Sequence, residues 1–140
     1  LETLYLTNNP IIYFGSDSFS RLSNLVELRV DKNKELKILN DDDLFKGLIK
    51  LTRLHLSFSR IEQVSNMSFV NLVNLKEIHL NDNRISSFHI LNLDRINLFL
   101  NVLNLNINFL KALRNRMFNM LINLEILSIN YNLIELIEID

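Results

Sequence analysis

One nine-residue frame, L-x-x-L-x-L-x-x-N, recurs along this chain and constrains its architecture more than any single residue does. The frame opens at Leu1, Leu25, Leu51, Leu75, Leu100 and Leu124, so the starts lie 24, 26, 24, 25 and 24 residues apart. A period of that length means one supersecondary unit copied and stacked, because so short a unit cannot bury its apolar side chains alone. The second aliphatic column reads Leu4, Leu28, Leu54, Ile78, Leu103 and Leu127, and the third reads Leu6, Val30, Leu56, Leu80, Leu105 and Ile129. Residues two apart share one face of a strand, whereas a helix would rotate them about 200° from each other. Each copy is therefore expected to open with a short strand.

After the strand, apolar residues recur at Ile11, Leu36, Ile61, Ile85, Leu110 and Ile134, and again at Phe14, Leu39, Val64, Phe88, Leu113 and Ile137. Phenylalanine then stands six residues before the next frame at Phe19, Phe45, Phe69 and Phe118, followed three residues later by Leu22, Leu48, Leu72 and Leu121. The return segment is thus expected to bury one side as well. Composition agrees with a copied unit: leucine is about a fifth of the chain and asparagine about a seventh, with only 2 glycines and 1 proline, against about 7% and 5% in ordinary domains.

The asparagine column is Asn9, Asn33, Asn83, Asn108 and Asn132, placed where the chain turns out of the strand and backbone groups lose their ladder partners. An amide offers two donors and an acceptor, so stacked asparagines are expected to satisfy those groups copy by copy. Ser59 replaces asparagine in the third copy, and a local weak point is expected there.

Several function classes have little to stand on. Fifteen Lys plus Arg against sixteen Asp plus Glu give a net charge of -1, without the dense basic footprint of a nucleic-acid binder. With no cysteine there is no disulfide framework, thiolate metal site or sulfur nucleophile. No apolar run approaches the roughly 18 to 20 residues needed to span a bilayer, and the start of the chain lacks the marks of a signal peptide, so any targeting signal is expected outside this segment. No serine nucleophile elbow, phosphate-binding glycine loop or H-E-x-x-H motif occurs; Gly15 and Gly47 are isolated in outer segments. Glu27 and Glu77 share a column but lie two copies apart on an open face, without a pocket to shift their pKa values. No enzymatic activity, metal or cofactor is expected.

The frame, its period and the phenylalanine before each new start resemble the leucine-rich repeat family over essentially the whole chain. The pattern looks most like the "typical" extracellular subclass found in Toll-type receptors, Slit-like proteins and chaoptin. That resemblance implies an α/β solenoid: a curved array, uncapped here, with a short-stranded parallel sheet on the concave face and irregular, 3₁₀ or short helical segments on the convex side. Residues 1–140 are read as one such solenoid of about six copies, the last truncated, and as an internal piece of a longer protein. The resemblance further implies a recognition scaffold in an extracellular or cell-surface receptor or secreted protein, with innate immunity among its settings. A structural adhesion protein or an intracellular scaffold is the alternative. A protein ligand or co-receptor is the expected partner, with no nucleic acid and no membrane insertion by this segment; a homo- or heterodimer stays open.

On such a sheet the outward strand positions form the recognition surface. The central column reads Tyr5, Arg29, His55, His79, Asn104 and Ser128, preceded by Thr3, Glu27, Arg53, Glu77, Val102 and Ile126. Beyond the strand come Asn8, Lys32, Phe58, Asp82, Ile107 and Tyr131, among which Phe58, Ile107 and Tyr131 are odd for exposed positions. Aromatic and arginine side chains are the usual anchors of interfaces, so Tyr5, Arg29, Arg53, Phe58 and Tyr131 are the leading binding candidates, with His55, Glu77 and His79 completing the set. His55 and His79 should lie side by side, as a pH-sensitive contact, a weak metal site or ordinary exposed histidines.

Three local features stand apart. Asn66-Met67-Ser68 is a glycosylation sequon on the outer segment, by design or by chance. Asp41-Asp42-Asp43 reads as a hard-cation site or, more simply, a solvated loop. In the fourth copy Asp94 and Asn97 stand where phenylalanine and leucine belong and Phe99 where asparagine precedes the next frame. Its outer segment either refills the core with Leu91, Leu93, Ile96 and Leu98 or alters the curvature and presents Phe99 to a partner.

Overall fold

The structure, a computed structural model of the chain, describes residues 1–40, 42–65, 67–87, 99–114, 117–118 and 121–138. Six strands of three residues each form one parallel sheet in chain order: β1 (Thr3–Tyr5), β2 (Glu27–Arg29), β4 (Arg53–His55), β6 (Glu77–His79), β7 (Val102–Asn104) and β9 (Ile126–Ser128). Their register aligns Leu4, Leu28, Leu54, Ile78, Leu103 and Leu127 in one row. Strands this short hold only by stacking. Leu28, Leu54, Ile78 and Leu103 are fully buried, while Leu4 and Leu127, in the first and last strands, are partly exposed.

The chain returns along the opposite side through repeated tight turns. The amide of Leu22 donates to the Phe19 carbonyl at 2.9 Å and that of Leu25 to Leu22 at 2.9 Å, and the same pair of bonds recurs at Leu48 and Leu51, Leu72 and Leu75, and Leu121 and Leu124. These three-residue steps have the spacing of a 3₁₀ turn, yet no helix occurs among the described residues. Instead the outer side carries two two-stranded parallel sheets, β3 (Ile38–Leu39) with β5 (Gln63–Val64) and β8 (Ala112–Leu113) with β10 (Leu136–Ile137). The irregular and turn character expected of the return is present; short helices are not, and the described residues form a β-solenoid. Pairing between neighbouring copies, Ile38 with Gln63 and Ala112 with Leu136, holds these two-residue segments extended.

Phenylalanines fill the space between sheet and return as a stack along the array. Phe14 and Phe19 sit 5.1 Å apart between ring centroids, Phe19 and Phe45 6.0 Å, and Phe45 and Phe69 6.0 Å with rings 12° from parallel. Such contacts add about 0.5–1.5 kcal/mol each beyond simple burial. Phe118 packs partly buried against the same core. In the second copy the Leu36 amide donates to the Asn33 carbonyl at 3.1 Å, and Leu36 is fully buried.

Gly47 has a structural role that sequence reasoning missed. Its φ is +88°, and a Cβ there would stand 2.3 Å from the backbone oxygen of Ser20 in the preceding copy. Only glycine fits that approach. Asp94, Asn97 and the leucines and isoleucine offered to refill the fourth copy lie outside the described residues, as do Asp41 and Asn66. Phe99 is described and exposed. Asp42 accepts from the Ser65 hydroxyl at 3.4 Å, and Asp43 pairs with Lys46 at 3.5 Å, so both take part in ordinary surface contacts.

Candidate recognition site

Burial is the first thing that separates Glu27 from the other outward strand residues. It lies on the open face of β2, yet is only 6% exposed, because two arginines cover it. Arg29, two residues along the same strand, donates Nε to Oε1 at 2.5 Å. Arg53, directly opposite on β4, donates Nε and Nη2 to Oε2 at 3.2 and 2.8 Å. The Arg53 bonds, then those of Arg29, hold the Glu27 carboxyl below its ordinary pKa against the opposing effect of burial. The same carboxylate raises the pKa of both guanidinium groups. Charge-assisted bonds of this kind are the strong ones, and their fork geometry locks otherwise mobile side chains.

The cluster extends in both directions along the sheet. Arg29 lies over the Tyr5 ring with its guanidinium carbon 5.7 Å from the centroid, on the strand before. On the strands after, His55 and His79 stack with centroids 4.6 Å apart and planes within 3°. His79 Nε2 stands 3.3 Å from Glu77 Oε2. His55 Nε2 lies 3.7 Å from Glu27 Oε1, too far for a hydrogen bond, and is buried without a partner. Burial chiefly, then the neighbouring His79 and Arg29, lowers the His55 pKa, with Asp31 and Glu27 opposing. The neutral imidazole therefore makes no ion pair with Glu27, whatever the separation suggests. No group of three or more His, Cys, Asp or Glu able to hold a metal ion occurs among the described residues.

The structure thus brings Tyr5, Arg29, Arg53, His55, Glu77 and His79 into one surface across four adjacent strands, with Glu27 at its centre. Phe58 and Tyr131 do not join it. Each stands three residues past its strand, at the edge where the chain leaves the sheet. Sequence reasoning missed Glu27 as the organising residue; its signal was a carboxylate flanked by arginine at +2 and in the next copy.

The asparagines make a repeated set of bonds just beyond the strands. Asn33 donates Nδ2 to the carbonyls of Leu6 at 3.0 Å and Val30 at 2.6 Å, and its Oδ1 accepts from the Asn9 amide at 3.1 Å. Asn83, Asn108 and Asn132 each donate to the carbonyl three residues back and to that of the preceding copy, and their Oδ1 accepts from Ile61, Ile85 and Leu110. Asn9 donates to Leu6 at 3.0 Å. Ser59 accepts from the Asn33 amide at 3.2 Å and donates only to its own copy, to Ser57 at 3.4 Å. A second polar ladder runs alongside: Asp31 Oδ1 accepts from the Ser57 amide, the Ser57 hydroxyl donates to Asn81, and Asn106 Oδ1 accepts from Asn130.

Comparison with known proteins agrees with the solenoid fold. A family model described as leucine rich repeat matches residues 40–85. Human (Homo sapiens) Toll-like receptor 8 is 41% identical over 96 residues, 64% of this chain and 9% of the receptor. The chain is similar to leucine-rich repeat proteins. A second relative, mouse (Mus musculus) Toll-like receptor 13, is 43% identical over 63 residues, 45% of this chain and 6% of the receptor. The matched stretches cover less than a tenth of the length of either receptor. Among solved structures, a complex of TLR13 with ssRNA13 superposes with a TM-score of 0.82 at 26% identity, covering 91% of this chain and 18% of that one. The Drosophila Toll complex with Spatzle superposes at 0.75 and 20% identity over 99% of this chain and 21% of that one, a likeness of fold alone.

Proposed function

We propose that this array is a ligand-recognition segment of a Toll-type receptor ectodomain at the cell surface or in a compartment continuous with it, and that a protein ligand or co-receptor binds across its first four strands. The array is read as one solenoid unit with copies opening at residues 1, 25, 51, 75, 100 and 124 within a longer protein. The observation that carries the reading is the Tyr5, Arg29, Glu27 and Arg53 cluster. Glu27 holds both arginines in fixed orientations while using only part of their donors, so each keeps further N–H groups for a partner. Preorganised arginine and tyrosine are the side chains that most often dominate binding energy. The similarity to receptors, rather than to enzymes or intracellular scaffolds, supports the same reading.

Two observations favour protein over nucleic acid on this face. The whole chain carries a charge of -1, and Glu27 pairs with both arginines and cancels one of their two charges. TLR13 in its solved complex holds ssRNA, so single-stranded RNA is the comparison arm of the test. A photo-crosslinking residue is placed at Arg29 or Arg53 in the full-length protein, with Ile49 on the outer side as control. Capture of the same protein from both sheet positions, absent at Ile49 and in a Glu27→Gln background, is expected. Equal capture at Ile49, or capture of RNA alone at Arg29, sinks the reading.

A further inference from the structure

Each time the chain leaves the sheet it passes through one residue in the left-handed conformation. These are Asn8, Lys32, Phe58, Asp82, Ile107 and Tyr131, with φ between 53° and 62°. The turn is held from copy to copy, since the Phe58 amide donates to the Asn81 carbonyl at 3.0 Å and the Ile107 amide to Asn130 at 2.8 Å. Asparagine and aspartate accept this conformation readily, but for other side chains it costs about 1–2 kcal/mol and is an outlier for a β-branched residue. Ile107 and Tyr131 nevertheless occupy it, 46% and 83% exposed. A largely exposed apolar side chain kept on strained backbone contributes little to the core and points to a contact outside the fold.

Two residues further on, the same copies expose Phe109 at 46% and Leu133 at 52%, flanking the asparagines that turn inward. Copies five and six therefore present one continuous apolar patch at the strand-exit edge. In copies two to four the same two columns carry Lys32, Lys34, Phe58, Arg60, Asp82 and Arg84. Arg84 pairs with Glu62 at 3.7 Å, whereas Lys34 and Arg60 are exposed and make no ion pair among the described residues. One edge thus runs from basic to apolar along the array.

We infer that this edge docks a protein partner through an acidic segment that continues into apolar side chains. The segment lies along the solenoid axis, with carboxylates at Lys34 and Arg60 and the apolar part over Ile107, Phe109, Tyr131 and Leu133. The charges select the acidic half, and the patch selects a polypeptide: an RNA strand would meet the cations but leave aliphatic Ile107 and Leu133 uncovered. The reach is short. Four strand spacings separate the second copy from the sixth, about 19 Å, and eight extended residues cover about 26 Å. This surface is separate from the Arg29 and Arg53 cluster and stands independently of it.

The test uses the full-length protein and a fluorescent peptide of four glutamates followed by Leu-Phe-Leu-Phe, read by anisotropy. Binding at least tenfold tighter than that of the matched peptide with four lysines, or of an all-glutamate peptide, is expected. The pairs Lys34→Glu with Arg60→Glu, and Ile107→Asn with Tyr131→Ser, each weaken it at least tenfold. Ile107→Asn keeps an unchanged or higher melting midpoint, so that loss reports contact and not unfolding, and Ile49→Asn, on the outer side, leaves the affinity unchanged. Equal binding of all three peptides, unaltered affinity in both paired variants, or binding of uridine homopolymer RNA in the peptide's place overturns the proposal.

Discussion

Arg53 reaches from its own strand to Glu27 on the neighbouring one and places both Nε and Nη2 on a single carboxylate oxygen, at 3.2 and 2.8 Å. Arg29 takes the other oxygen. Glu27 is therefore the residue whose loss should disorder the face most. Glu27→Gln leaves two guanidinium groups facing each other over a neutral amide. Because both arginines remain about two-fifths exposed, water screens part of that cost, and a loss of about 1–2 kcal/mol is expected. Chemical denaturation of wild type and variant measures it; an unchanged midpoint would show the cluster to be energetically idle.

Acid should weaken the fold in two stages. The folded pKa of His55 lies below its ordinary 6.5, so below that pH the unfolded chain binds the proton more readily and stability falls as pH drops toward the folded value. Glu27, held below its ordinary 4.5 by Arg53 and Arg29, adds a second loss that begins near that value, with the same sign. Urea midpoints between pH 8 and 5 report the first stage. His55→Gln should flatten it, and a wild-type midpoint independent of pH across that range would contradict the assigned neutrality of His55.

Gly47→Ala puts a methyl group against the Ser20 backbone at 2.3 Å and forces alanine to φ +88°. Overpacking and backbone strain together predict a loss of roughly 2–3 kcal/mol. A melting midpoint within 1 °C of wild type would mean that the outer segments shift apart freely.

Ser59→Asn should be stabilising. The carbonyls of Leu6, Leu80 and Leu105 each accept from two asparagines, but Val30 and Leu56, the two that an asparagine at 59 would reach, each accept from one. Supplying the absent donors should gain about 1 kcal/mol. Slower amide exchange in the third copy checks the mechanism, and a destabilised variant would show that the site has closed around serine.

Ile107→Asn should also stabilise the isolated chain, by about 0.5–1 kcal/mol, because asparagine tolerates the left-handed backbone that isoleucine resists. Thermal unfolding measures this. A clear loss of stability would show that Ile107 packs within the fold and is not held there for a partner.

Much of the architecture was legible in residue spacing. Leu28, Leu54, Ile78 and Leu103 point inward because residues two apart on a strand share a face, and 24 to 26 residues per copy bring the same column back each time. The side-by-side placement of His55 and His79 follows from the same register. The outer side was less legible: its apolar residues suit a turn, a short helix or an extended strand alike, and pairing between copies decides among them. That is why β3 with β5, and β8 with β10, were not foreseen.

The candidate surface divides in the same way. Sequence alone determined which side chains face outward and in which copy, because that depends on local periodicity and on the identity of each column. It did not determine that Glu27 would sink beneath Arg29 and Arg53, that His55 Nε2 would be buried without a partner, that Gly47 would meet Ser20, or that Ile107 and Tyr131 would take the left-handed turn. Those outcomes depend on distances between copies and on which neighbour excludes water, and only the packed solenoid sets both.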